Sequence, residues 1–176
     1  MSVTFSGAFT FTGGGFTASL APPPSTPNAG WFVGGTDSTL GNHVSTVQRI
    51  TYATDTATAS IRGPLYNAKS GASGVGTVSE GWYAGGQDSS NNITSTVQRI
   101  TYATDTATGT TRGPLSAARY KPGQAGDSTA GWVAGGSYPD FSTVSRITYA
   151  TDTDIPSVRG PLTYADTYLT ATSGIA

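Results

Sequence analysis

Three tryptophans recur in one local frame. Trp31, Trp82 and Trp132 each sit in a GWxxGG string, 51 and 50 residues apart. Flat aromatic faces at equivalent positions suit stacking on the apolar faces of sugars. They suit packing between repeated structural units equally well. The segments that follow each glycine pair would supply the polar half of any ligand site. They offer Asp37, Asn42 and His43, then Asp88, Asn91 and Asn92, then Tyr138 and Asp140. Most other chemistry lacks its parts. His43 is the one histidine, so paired imidazoles and multi-histidine metal sites are excluded, and it reads as a solvated loop residue. Cysteine is absent, which removes disulfides, thiolate ligands and cysteine nucleophiles. Glu80, the one glutamate, has no carboxylate at a fixed offset to form a glycosidase pair. The loop aspartates match no EF-hand or RTX spacing, and GASGVG at 71–76 has no following Lys-Ser/Thr to make a phosphate loop. The triplet Asn92-Ile93-Thr94 fits a glycosylation acceptor by chance. The expectation is a protein without enzymatic activity, cofactor or metal.

The composition agrees. Charged residues make up 11% of the 176, against about 25% usually. Nine Lys+Arg face ten Asp+Glu, a balance unlike that of a basic nucleic-acid binder. Hydrophobic residues reach 36%, enough for a folded chain, and 24 glycines with 30 threonines favour strands and turns. No run approaches the roughly 18 apolar residues of a membrane span, and the N-terminus lacks the basic and apolar regions of a secretory leader.

The elements that would carry these residues are set by a nearly literal repeat. STVQRITYATDTAT occupies 45–58 and 95–108, and STVSRITYATDT returns at 142–153; RGPL follows at 62–65, 112–115 and 159–162. Only the stretch between the glycine pair and STV changes length, as a surface loop does. A period near 50 holding four short strand-like pieces reads as one propeller blade. The expected strands are A within 70–78, B at GWxxGG, C at TVQRITYA and D after Asp105. No window supports a helix. The fold class is thus all-β, with three four-stranded antiparallel blades per chain.

Charges follow the same phase. Arg49, Asp55 and Arg62 recur as Arg99, Asp105, Arg112 and as Arg146, Asp152, Arg159. Threefold recurrence points to framework, with the aspartates capping turns and the arginines pairing or bonding carbonyls. The blades are also out of phase with the chain. Nineteen residues separate Arg62 from Gly81 and Arg112 from Gly131, and the same step from Arg159 passes residue 176. Residues 164–175, with Tyr164, Tyr168 and Leu169, therefore read as a strand A without its strand B, while Trp31 starts a strand B without its A. The expectation is closure by strand exchange, with six blades in a homodimer, or else an open three-blade arc. Residues 30–176 hold the blades. Residues 1–29 form an arm: Val3, Phe5, Phe9 and Phe11 alternate as a strand, the glycines at 13–15 make a flexible break, and prolines 22–24 and 27 a stiff spacer. The arm reads as an assembly strand docking on a neighbour, the alternative being that it folds back on its own blade.

The string GWxxGG–loop–STVxRITYATDTAT–RGPL resembles the kelch-like repeats of bacteriophage virion structural proteins, marine and cyanobacterial ones especially, over residues 30–176. The glycine pairs and Tyr52, Tyr102 and Tyr149 fit ordinary kelch repeats, but the usual tryptophan after the tyrosine is missing and lies before the glycines instead. The resemblance implies a structural component of a virion (tail, fibre or capsid surface) built of kelch-like β-propeller blades. Its partners would be copies of itself and other virion proteins. Binding of a host surface glycan is the alternative; neither nucleic acid nor membrane is expected as a partner.

Overall fold

Each repeat folds into a meander of short antiparallel strands, as its β-branched residues and turn-forming glycines dictate. The structure is a computed structural model and describes residues 28–173, with the backbone alone of 9–12 and 15–18. Two strands precede the repeats, β1 (Phe9–Thr12) and β2 (Gly15–Ala18), paired as a hairpin with Phe11 opposite Phe16. The first repeat holds β3 (Ala29–Val33), β4 (Val47–Thr51) and β5 (Ser60–Arg62). The second holds β6 (Ser73–Gly76), β7 (Glu80–Ala84), β8 (Val97–Thr101) and β9 (Thr110–Arg112). The third holds β10 (Gly123–Gly126), β11 (Ala130–Ala134), β12 (Val144–Thr148) and β13 (Ser157–Arg159). Strands follow one another in sequence order within each sheet, giving three blade-like sheets of three, four and four strands. We call them blades one to three.

The architecture is all-β, and the sheets do not close into a barrel. Blade one has three strands: among the described residues β3 pairs with β4 alone, a strand B without its own strand A. Two local readings also shift. Strand C ends at Thr101, and Tyr102–Thr104 forms a single 3-10 turn, as do Tyr52–Thr54 and Tyr149–Thr151. The Asp-Thr that follows each of these triplets favours a turn over continued pairing. Strand D is β9, which contains the arginine of RGPL instead of ending before it.

The glycine pairs end strand B in all three blades. Gly34, Gly85 and Gly135 have φ of 65°, 71° and 63°, and Gly35, Gly86 and Gly136 have 111°, 87° and 100°. Two consecutive left-handed residues turn the chain out of the sheet, which only glycine does cheaply.

The apolar core lies between blades, not inside one. Val47 and Leu65 of blade one meet Tyr83 and Ile100 of blade two, with Trp31 and Tyr102 packed against them. Trp82, Ala84, Val97 and Leu115 meet Val133 and Ile147 of blade three, beside Val75 and Tyr149. Alternation places successive side chains of a strand on opposite faces, so each blade carries two apolar faces, each needing a neighbouring blade.

Candidate assembly interface: the junctions between blades

The repeat-phased residues meet across blades. Trp31 of blade one stacks on Tyr102 of blade two, with ring centroids 3.7 Å apart and planes 5° from parallel. Its indole N–H donates to Asp105 Oδ2 at 2.9 Å. Arg49 and Arg62 of blade one converge on the same oxygen, at 3.5 and 3.4 Å. The junction of blades two and three repeats this arrangement. Trp82 stacks on Tyr149 at 3.9 Å and donates to Asp152 Oδ2 at 2.8 Å, and Arg99 and Arg112 each reach that oxygen at 3.2 Å. Glu80 pairs with Arg99 at 3.3 Å. Both aspartates are buried. Their carboxylates bond to the preceding blade instead of capping their own turns, and one carboxylate answering an indole and two guanidinium groups satisfies the desolvated charge.

Backbone contacts run with these side chains. The amide of Gly63, in the first RGPL, donates to the Asp105 carbonyl at 2.7 Å, and that of Gly113 to Asp152 at 2.8 Å. A Cβ on Gly63 would strike the carbonyls of Thr106 and Ala107, and one on Gly113 those of Thr153 and Asp154. This glycine is required because the next blade's turn presses on it.

A buried cation pins each junction from the linker side, a feature that sequence reasoning missed. The Lys69 carbonyl accepts from Gly35 of blade one at 2.7 Å, while its ammonium enters blade two. There it donates to the Gly85 carbonyl at 2.6 Å and Thr94 Oγ1 at 2.7 Å, and bonds Thr96 through both its carbonyl and its hydroxyl. Burial pushes this ammonium down to about 8. Arg119 does the same one blade on. Its carbonyl accepts from Gly86 at 2.9 Å, and its guanidinium donates to the carbonyls of Gly135 and Thr143 at 3.2 and 3.1 Å. The signal available was a cation four residues after RGPL in two of three repeats. In the third repeat Asp166 takes that place, and its carbonyl accepts from Gly136 at 2.9 Å.

The segment after the third RGPL follows the backbone path of the earlier linkers. Tyr168 has φ of 58°, matching Gly71 at 59° and Lys121 at 51° in the equivalent positions. It then runs beside β10. Leu169 and Ala171 lie against Gly123, and Ser173 Oγ accepts from the Gly126 amide at 2.8 Å. β6 lies beside β10 in the same manner, with Val75 against Gly126 and Gly131. Residues 169–173 thus occupy, relative to β10, the place of a following blade's first strand, though they join no sheet within the chain and do not reach Trp31.

The outer faces of blades one and three carry the same residue types without these contacts. On blade one, Tyr52 is 55% exposed, Phe32 is 59% exposed, where its equivalents Tyr83 and Val133 are buried, and Asp55 is exposed. On blade three, Trp132 is half-buried with the Arg146 guanidinium 5.6 Å from its ring centre. Among the described residues Arg146 and Arg159 make no ion pair. A Cβ on Gly160, unlike one on Gly63 or Gly113, meets nothing within 4 Å. Neither does one on Gly35. A cavity of about 570 Å³ lies beside β3, lined by Gly30, Trp31, Phe32, Tyr52 and 74–78 among others.

The remaining sequence candidates spread over separate places. Asp37 and Asp88 accept backbone amides of their own loops, from Thr39 and Leu40 and from Ser90 and Asn92, which holds both carboxyls below the usual range. His43 Nδ1 lies 3.2 Å from Thr36 Oγ1 within the same loop. Asn42 and Asn92 are exposed in these loops. Tyr138 and Asp140 line a shallow cleft with Thr167 and Tyr168. Tyr164 is exposed. Trp82 is fully buried, so its ring offers no face to a sugar. Phe9 and Phe11 lie on β1, and Val3 and Phe5 lie outside the described residues.

No family model and no curated protein matches this sequence. The architecture recurs among solved structures, of which 124 chains match. One, described as "Structure of YjhT", superposes with a TM-score of 0.63 at 10% identity, over 86% of this chain and 57% of its own length. The chain therefore spans little more than half of that structure, and at this identity the likeness is one of fold alone.

Proposed function

We propose that this protein is a non-enzymatic structural component of a bacteriophage particle. Its kelch-like blades join by β-strand complementation, two chains forming a six-bladed propeller. The motif string supports the virion assignment, as a resemblance of sequence. One structural observation carries the mode of assembly: residues 169–173 lie where a next blade's first strand would begin, while among the described residues β3 lacks the strand that β7 and β11 each have. Strand addition satisfies backbone groups that a bare edge leaves to solvent, and in a two-fold ring it removes both edges.

The repeat fixes the register to test. Val75 pairs with Trp82 and Ala125 with Trp132, each lying ten residues after the leucine of RGPL. The same count puts Thr172 opposite Trp31 and Ala171 opposite Phe32 of a partner copy. The chain has no cysteine, so the double variant Ala171→Cys, Phe32→Cys carries a clean probe. Oxidation should yield chains linked to each other at that pair. Absence of the link, with the variant folded, refutes strand complementation in this register. Antibody labelling of particles by electron microscopy tests the virion role separately.

A further inference from the structure

The side chains on the two outer faces match, in type and position, the two halves of the junction built inside the chain. Inside the chain, the junction is built twice from the same parts. The leading blade gives a tryptophan, two arginines and a glycine amide; the following blade gives a tyrosine ring, a buried aspartate carboxylate and that aspartate's carbonyl. Blade three presents the leading half, Trp132, Arg146, Arg159 and Gly160. Blade one presents the following half, Tyr52 and Asp55, exposed to solvent.

We infer that the partner of blade three is blade one of a second copy, with Trp132 stacking on Tyr52 and donating to Asp55, and with Arg146 and Arg159 closing on the same carboxylate. Two observations besides residue identity support this occupant. The charges are complementary, two guanidinium groups facing one carboxylate. Gly160 keeps open the space that the incoming turn fills at Gly63 and Gly113. The inference rests on the assembly of copies proposed above, but it uses outer side chains and not the inner strand, so the two can fail separately.

The test is the molar mass of the full chain across a concentration series by sedimentation, for wild type, Asp55→Arg, Arg159→Glu, their 1:1 mixture and a chain lacking 163–176. Asp55 and Arg159 are exposed, so at a concentration where all the proteins are monomeric both single variants should keep the wild-type circular dichroism and melting midpoint. Wild type is expected to self-associate, and each single variant to lose at least about tenfold in affinity. The mixture should regain it, because an Arg159→Glu copy and an Asp55→Arg copy form one reversed and one native junction. If wild type stays monomeric, with its own arm covering blade one for instance, both readings fall. If truncation abolishes association while the charge variants do not, strand complementation stands and the side-chain junction is wrong. If the charge variants act and truncation does not, the junction stands alone.

Discussion

The Trp82 indole N–H donates to Asp152 Oδ2 at 2.8 Å across 70 residues of sequence, joining the second strand of one blade to a turn of the next. Arg99 and Arg112 share the acceptor, so Asp152 is the centre of its junction, as Asp105 is of the other.

Removing that centre should cost more than removing its exposed counterpart. Asp152→Ala leaves an indole and two guanidinium groups without their acceptor and should lower unfolding stability by about 2–3 kcal/mol. Asp55→Ala, at an exposed position with no such partners, should stay within about 0.5 kcal/mol. Urea denaturation at a concentration where the protein is monomeric measures both.

The RGPL glycines should separate in the same way. Gly63→Ala and Gly113→Ala force a methyl against backbone carbonyls of the next blade, and such overpacking costs about 1–3 kcal/mol. Gly160→Ala meets open space and should leave the melting midpoint of the monomer within error. Thermal melts of the three variants, run side by side, decide this.

The sequence announced the blades, because near-identical copies at a fixed period leave little freedom in strand order. It did not announce where the phased charges meet. Arg49 and Asp55 lie six positions apart within one repeat, and the aspartate's place after a strand reads as a turn cap. The twist and stacking of sheets instead bring Arg49 to Asp105, 56 residues on. Tyr102 reads as a strand residue from its type alone, yet the Asp-Thr beyond it turns the chain there. Lys69 and Arg119 stayed hidden because the residues around them share little beyond one preceding alanine and the distance from RGPL, and a buried cation contradicts the usual exposure of such side chains.

Stability should rise and then fall with alkaline pH. Burial lowers Lys69 from 10.5 to about 8, so above pH 8 the unfolded chain binds more protons than the folded one and stability climbs toward pH 10. Burial raises Tyr83, and raises Tyr102 and Tyr149 to about 12 from 10.0. Above pH 10 the unfolded chain therefore releases protons that the folded chain keeps, and stability drops. Lys69→Met should flatten the rising limb, and Tyr102→Phe should soften the fall, in urea titrations between pH 7 and 11.

If copies join as proposed, Asp166 should set the strength of the joint between them. At the two internal junctions a cation in this position fills a socket of carbonyls and threonine hydroxyls in the next blade, Gly85 with Thr96 for Lys69 and Gly135 with Thr143 for Arg119. The corresponding socket on blade one is made by the carbonyl of Gly34 and by Thr46, whose carbonyl already accepts from the Gly34 amide. A carboxylate brought there has one hydroxyl to accept from and two carbonyl oxygens to repel it. The copy-to-copy joint should accordingly be weaker than either internal junction. Asp166→Lys supplies the missing cation and should tighten self-association by about tenfold or more, a gain that sedimentation at matched ionic strength reads directly. Asp166→Asn removes the charge without supplying donors of comparable reach and should recover less. If lysine weakens association, or leaves it unchanged, residues 163–169 do not enter blade one of a partner in the manner of the internal linkers.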